Sequence, residues 1–186
     1  MPSDRVLEPW RSFLAEIDAA TPRPLELHCI GGFAVTMHYE LVRATGDLDV
    51  FDVIPNHAAQ WLASMAGEGS ALHKRHRLYV QIASVATLPY EYAGRLIEVF
   101  AGEFEHLRLL VADRYDLALS KLPRNLDVDF EDVKHLARSP DFDLGTLKQR
   151  YYAELRPYVS GPPERHDLTL KLWIEAITEE RASGHP

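Results

Sequence analysis

Cysteine is nearly absent from this chain, with Cys29 the only one among 186 residues. A disulfide framework is therefore excluded, and the role expected of Cys29 is that of a small buried residue in a core strand. Long apolar runs are missing too. No stretch approaches the ~20 residues needed to cross a bilayer, and Met1 to Arg5 lead toward an amphipathic helix rather than an apolar leader. A cytoplasmic protein with no membrane partner is expected. Positive charge is scarce: 20 Lys and Arg against 28 Asp and Glu leave a formal net charge of −8. That balance argues against non-specific nucleic-acid binding by the whole surface and leaves a local site open. The nine histidines show no zinc spacing and no paired cysteine, so no structural metal is expected. Internal repeats and low-complexity stretches are absent.

What is present suffices for one good core, given 46% hydrophobic residues, and for a helical appendage. The pattern divides near residue 112. Before it come a helix over Asp4 to Ala19, a strand over Leu25 to Ile30, a helix over Phe33 to Leu41 and a strand around Asp47 to Val53. A helix near His57 to Ala66 and strands near Leu78 to Val85, Leu96 to Phe100 and Leu107 to Val111 follow. After it the periodicity is helical over Asp113 to Leu122, Val128 to Ala137, Leu144 to Tyr158 and Glu164 to Arg181, with the tail Ser183 to Pro186 expected to fray. Leu168, Leu170, Leu172, Trp173, Ile174 and Ile177 in the last helix read as core or subunit contact. The expected fold is α+β, a small mixed sheet with flanking helices (residues 1–112) followed by a C-terminal helical bundle (residues 113–186).

The chemistry concentrates in residues 28 to 53, HCIGGFAVTMHYELVRATGDLDVFDV. Asp47 and Asp49 lie two apart in an apolar strand, so both project from one face within reach of a single ion. Leu48, Val50, Phe51 and Val53 interleave with the acids and mark the strand as core, where an unpaired charge is costly. Gly31 and Gly32 permit a tight turn with close backbone approach ahead of a helix whose first amides attract phosphate. Taken alone, that Gly-Gly is as often only a turn. A hard divalent ion prefers one or two carboxylates plus substrate phosphates, so the physical reading is a nucleoside-triphosphate site holding Mg2+ or Mn2+ on Asp47 and Asp49. Arg43 reads either as a surface partner for these acids or as a phosphate ligand.

The order Gly-Gly, helix, then Arg43-Ala44-Thr45-Gly46-Asp47-Leu48-Asp49 resembles the polymerase-β-like nucleotidyltransferase superfamily, most closely the small bacterial branch that includes nucleotidyltransferase toxins of toxin–antitoxin pairs. Asp116-Leu117-Ala118-Leu119-Ser120-Lys121-Leu122, Arg124 and then Asp129-x-x-Asp132 resemble that branch's downstream motifs, so the likeness spans roughly residues 25 to 138. The resemblance implies transfer of a nucleoside monophosphate from an NTP to an acceptor hydroxyl on tRNA, a protein or a small molecule, with a cognate toxin–antitoxin partner. It gives Asp47 and Asp49 the metal, Lys121 the triphosphate, and Asp132 the orienting of the lysine or of the attacking group. It assigns Gly31, Gly32, Arg43, Thr45, Ser120 and Arg124 to the nucleotide. From position alone, Lys121 equally reads as a last-turn lysine that complements the helix dipole and snorkels to water, and Asp129 as a first-turn stabiliser.

Two departures stand against the resemblance. Val128 occupies a position where arginine is expected, and the third carboxylate that many of these enzymes carry on a neighbouring strand is either replaced by Gln81 or supplied by Glu98. A second reading follows, in which the same fold binds a partner or a nucleotide without turnover. Finally, His73-Lys74-Arg75-His76-Arg77 is the densest basic run, read as a solvated loop or as a grip on a nucleic-acid backbone.

Overall fold

The computed structural model describes residues 6–83 and 86–183. The expected helix start at Asp4, the strand end at Val85 and the tail beyond Ser183 lie outside them. The chain forms two compact units, one of residues up to 86 together with 96–112, the other of residues 87–95 and 113–186.

The first unit is α+β. Its elements are α1 (Trp10–Ala20), β1 (Leu25–Ile30), α2 (Gly31–Met37), β2 (Asp47–Ile54), α3 (Ala59–Ala66), α4 (Ala71–His76), β3 (Tyr79–Ile82), β4 (Ile97–Val99) and β5 (Leu107–Val111). The strands make one mixed sheet in the order β3-β2-β1-β5-β4, with β1–β2 and β4–β5 antiparallel and β1–β5 and β2–β3 parallel. β1 and β5 match their expected bounds because each is a short apolar run closed by turn-forming sequence. Cys29 is fully buried in β1, and burial, with the charge of Asp49 adding to it, holds its thiol above the ordinary range.

Several expectations are corrected. The first helix starts at Trp10, since Pro9 takes the N-cap position and an interior proline costs about 3 kcal/mol. From there Trp10, Phe13, Leu14 and Ile17 form the buried stripe, with Trp10 edge-on to Phe33 at 4.8 Å. The helix after the glycines ends at Met37 rather than Leu41. Glu40 takes a left-handed φ of 59° and the Leu41 N–H returns to the Val35 carbonyl at 3.2 Å, so a left-handed glutamate turns the chain away where glycine is usual. The basic run is a helix, not a loop: Ser70 caps α4 by accepting from the His73 N–H at 3.0 Å, and Leu72 is its buried anchor.

The second unit is helical, with α5 (Arg114–Lys121), α6 (Asp127–Ala137), α7 (Leu144–Arg150) and α8 (Pro163–Ala182). The helix expected over 144–158 breaks into α7, a π-type turn at Tyr151–Leu155 and a 3-10 turn at Arg156–Tyr158. Pro157 has no N–H to continue an α-helical ladder. In α8, Leu170, Trp173 and Ile177 are buried while Leu168 and Leu172 are exposed. The segment 87–95 belongs here because Arg95 bonds both oxygens of the buried Asp116, at 2.9 and 3.0 Å, and also Glu154 at 2.6 Å. Burial raises the Asp116 carboxyl above its ordinary range even against the Arg95 hydrogen bonds. No helix among the described residues is long and apolar enough to cross a membrane.

Candidate active site

The two acids stand on one face of the sheet, as their spacing requires. Along β2, Leu48, Val50 and Val53 are buried and Asp47 and Asp49 are half-buried. Simple alternation would turn Val53 to the face of the acids, but the register slips between His28 and Cys29. His28 pairs with Asp52 and Cys29 with Val50, which leaves Phe51 as a bulge and returns Val53 to the core.

The Gly-Gly turn is built around these carboxylates. Ile30 pairs with Asp49, so the chain enters α2 beside it. Gly31 has a φ of +68°, and a Cβ there would fall 2.0 Å from Asp49 Oδ2. Asp49 thus occupies the space that a side chain at 31 would fill. A Cβ on Gly32 would meet Arg43 at 3.0 Å and the Thr45 hydroxyl at 3.2 Å. Thr45 Oγ1 donates to Asp47 Oδ1 at 2.9 Å. Gly31, Gly32, Arg43, Thr45, Asp47 and Asp49 therefore converge. No side chain caps α2, whose 7 residues make a short helix with a correspondingly weak dipole.

On the other side of β2, Asp47 pairs with Tyr79 and Asp49 with Gln81 across the parallel β2–β3 ladder. Burial, followed by the charges of Asp47, Glu68 and Asp49, raises the Tyr79 hydroxyl above its ordinary pKa. Sequence reasoning did not single out Tyr79, which becomes visible only through this register. Gln81 stands where a third acid would flank Asp49. Glu98 does not take that place: β4 is three strands from β2, about 14 Å at 4.8 Å per step, and its carboxylate holds Arg108 at 2.7 Å. Among the described residues no group of three or more His, Cys, Asp or Glu side chains is placed to hold a metal ion. Two carboxylates on one face fit an ion that keeps waters and takes phosphate oxygens, such as Mg2+ or Mn2+, better than one needing an all-protein cage.

In the second unit, Lys121 is 5% exposed and neither snorkels nor stands alone. Its Nζ donates to Asp132 at 2.7 Å and lies 3.8 Å from Asp129. Arg124 in turn grips both oxygens of Asp129 at 2.8 and 2.5 Å, and the Leu126 N–H adds a third bond at 3.0 Å. Burial opposes ionisation of Asp129, but these donors and the nearby Lys121 charge hold its carboxyl below the ordinary range. Val128, where arginine was expected, is exposed, and the guanidinium that reaches Asp129 is that of Arg124. Ser120 turns inward and donates to the Leu117 carbonyl at 2.7 Å.

This geometry changes what a Lys121 mutation should do. Lys121→Met leaves Asp132, 1% exposed, without its cation, and breaking a buried pair costs about 3–5 kcal/mol. Adding Asp132→Asn should recover at least half of that loss in urea unfolding. A Lys121→Met cost under about 1 kcal/mol would show that the pair is solvent-screened.

No curated protein and no solved structure matches the chain. A family model does match, over residues 11–181, and so takes in both units with the Gly-Gly turn, the paired aspartates and the Lys121–Asp132 pair. The chain belongs to that family, described as a nucleotidyltransferase of unknown function (DUF6036).

Proposed function

We propose that this protein is a metal-dependent nucleotidyltransferase moving a nucleoside monophosphate from an NTP to an acceptor hydroxyl. The observation that carries the reading is the fit of Asp49 into the space opened by Gly31, with Asp47 held beside it by Thr45. Asp47 and Asp49 would hold Mg2+ or Mn2+, which when bound supplies charge neutralisation at the triphosphate and activation of the attacking oxygen. The chain's own residues do the rest. Gly31 and Gly32 let the triphosphate approach the backbone, Arg43 offers a guanidinium beside Gly32, and Thr45 fixes which Asp47 oxygen faces outward. The resemblance gives Lys121 the triphosphate and Asp132 the task of orienting it, and their 2.7 Å hydrogen bond supports the second role. A toxin–antitoxin setting, with a cognate partner, is proposed on the same resemblance.

RNA is the acceptor class we favour. Arg75 and His76 are engaged by Glu16 at 2.8 and 2.7 Å, whereas Lys74 and Arg77 are exposed and in no ion pair among the described residues. The chain leaving α4 runs alongside the acids: the Tyr79 N–H donates to the Gly46 carbonyl at 3.1 Å. Two cations in no ion pair among the described residues, on and at the end of the helix whose exit runs alongside Asp47, suit a phosphate backbone.

Incubation with each labelled NTP, Mg2+ and total RNA or lysate should move label onto RNA. Lys74→Glu/Arg77→Glu should raise the RNA KM at least tenfold and flatten its salt dependence, with NTP binding unchanged. Label on protein alone would shift the acceptor class. Gln81 beside Asp49 favours a second reading, a module that binds nucleotide or partner without turnover. NTP binding with no transfer to any acceptor would establish that reading instead.

A further inference from the structure

Helix α8 carries apolar residues on two sides. Leu170, Trp173 and Ile177 face the core of their unit: Trp173 stacks on Phe130 at 5.7 Å and donates to Asn125 at 3.0 Å. Leu168 and Leu172 point the other way, 56% and 53% exposed. With Arg165 and Glu175 they form an exposed seam at spacings of three, four and three residues, the repeat of a helix that packs along another helix.

The seam is symmetric about position 170. Leu168 and Leu172 each lie two residues from it, and Arg165 and Glu175 each lie five. A twofold axis through that point sets Leu168 against Leu172 of a second chain, and Arg165 against its Glu175. The patch complements itself, as an isologous contact requires. Beside it a groove of about 490 Å³, lined in part by Lys148, Tyr152, Lys171 and Ile174, offers further apolar and aliphatic surface. Among the described residues Glu175 is held in an ion pair only by Lys171 at 3.8 Å, both well exposed, a pair that exchanges readily. The chain as a whole carries −8, so copies repel one another over most of their surface. This seam instead balances one positive against one negative residue around leucine.

We propose that the outer face of α8 is the contact between two copies of this chain, packed antiparallel along the Arg165–Glu175 seam. The seam spans about 15 Å of helix at 1.5 Å per residue, so the contact is small and the dimer reversible in the micromolar range.

The test is independent of any activity and therefore of the proposed transfer reaction: analytical ultracentrifugation of the full chain over about 1–200 μM. Wild type should pass from monomer to dimer across that range. Arg165→Glu sets acid against acid and Glu175→Arg sets base against base, so each should weaken the dimer at least tenfold. An equimolar mixture of the two variants restores both attractions and should form a heterodimer at wild-type concentrations or below. Leu172→Asp should abolish association with unchanged circular dichroism, since the residue is exposed. A wild-type chain that stays monomeric throughout, including one that pairs only with some other protein, would overturn the proposal. So would a dimer indifferent to Arg165→Glu, or a mixture no tighter than either variant alone.

Discussion

Asp49→Ala and Asp47→Ala are each expected to lower nucleotidyl transfer by three orders of magnitude or more, about 4 kcal/mol of transition-state stabilisation, without unfolding the protein. Both carboxylates are half-buried on a strand whose buried residues are apolar, and like charges two residues apart on one face repel each other. Removing one relieves that repulsion and leaves Leu48, Val50 and Val53 packed as before. Thermal stability of the metal-free protein should hold or rise slightly, while the stabilisation that wild type gains from added Mg2+ and NTP disappears. Thr45→Val should act in the same direction more weakly, because it removes the donor 2.9 Å from Asp47 and leaves the carboxylate in place. Full transfer by either aspartate variant would remove the metal pair from the mechanism. Loss of transfer together with a cooperative loss of stability would reassign the aspartates to the fold.

Much of this site was legible in the sequence because it follows from short-range rules. The period of two puts Asp47 and Asp49 on one face, and Gly-Gly after an apolar strand marks a close approach of backbone. What the backbone approaches is a tertiary fact: that Gly31 faces Asp49 depends on the Ile30–Asp49 register, which no local pattern encodes. The bulge at Phe51 is of the same kind, since it is needed only because β1 and β2 must both turn their apolar residues to one core. Glu98 looked eligible as a third ligand through its apolar neighbours, and strand order alone removes it.

Helix ends divide similarly. Pro9 was a readable stop, as were Ser70 and the basic last turn of α4, whose start and stop signals were masked by reading His73 to Arg77 as a run of charge. Glu40 was not readable, because a left-handed glutamate has no signature of its own. Nor was the joining of Arg95 to Asp116 and Glu154, since an arginine in a loop gives no hint of its partners.

Gly31→Ala should disable the protein almost as fully as removing Asp49, although the mutation adds a single methyl group and touches no charge. Two costs combine. The left-handed φ of +68° is open to glycine and costs alanine about 1–2 kcal/mol. The added Cβ would also lie 2.0 Å from Asp49 Oδ2, 2.8 Å from its Cγ and 3.0 Å from its Cβ, so the carboxylate must leave its place. Transfer should fall at least a hundredfold, with folding stability lower by about 2–3 kcal/mol. Gly32→Ala is the internal control. Its Cβ meets the end of the Arg43 side chain and the Thr45 hydroxyl at 3.0 and 3.2 Å, groups that can give by a few tenths of an ångström, and a smaller loss of transfer is expected. The two costs at Gly31 separate in a double-mutant cycle read by urea unfolding, with no activity needed. In an Asp49→Ala background the Oδ2 and Cγ contacts are gone and chiefly the left-handed strain remains, so Gly31→Ala should cost at least about 1 kcal/mol less there than in wild type. Equal costs in the two backgrounds would mean that Gly31 serves the turn alone and that Asp49 does not depend on it for its position.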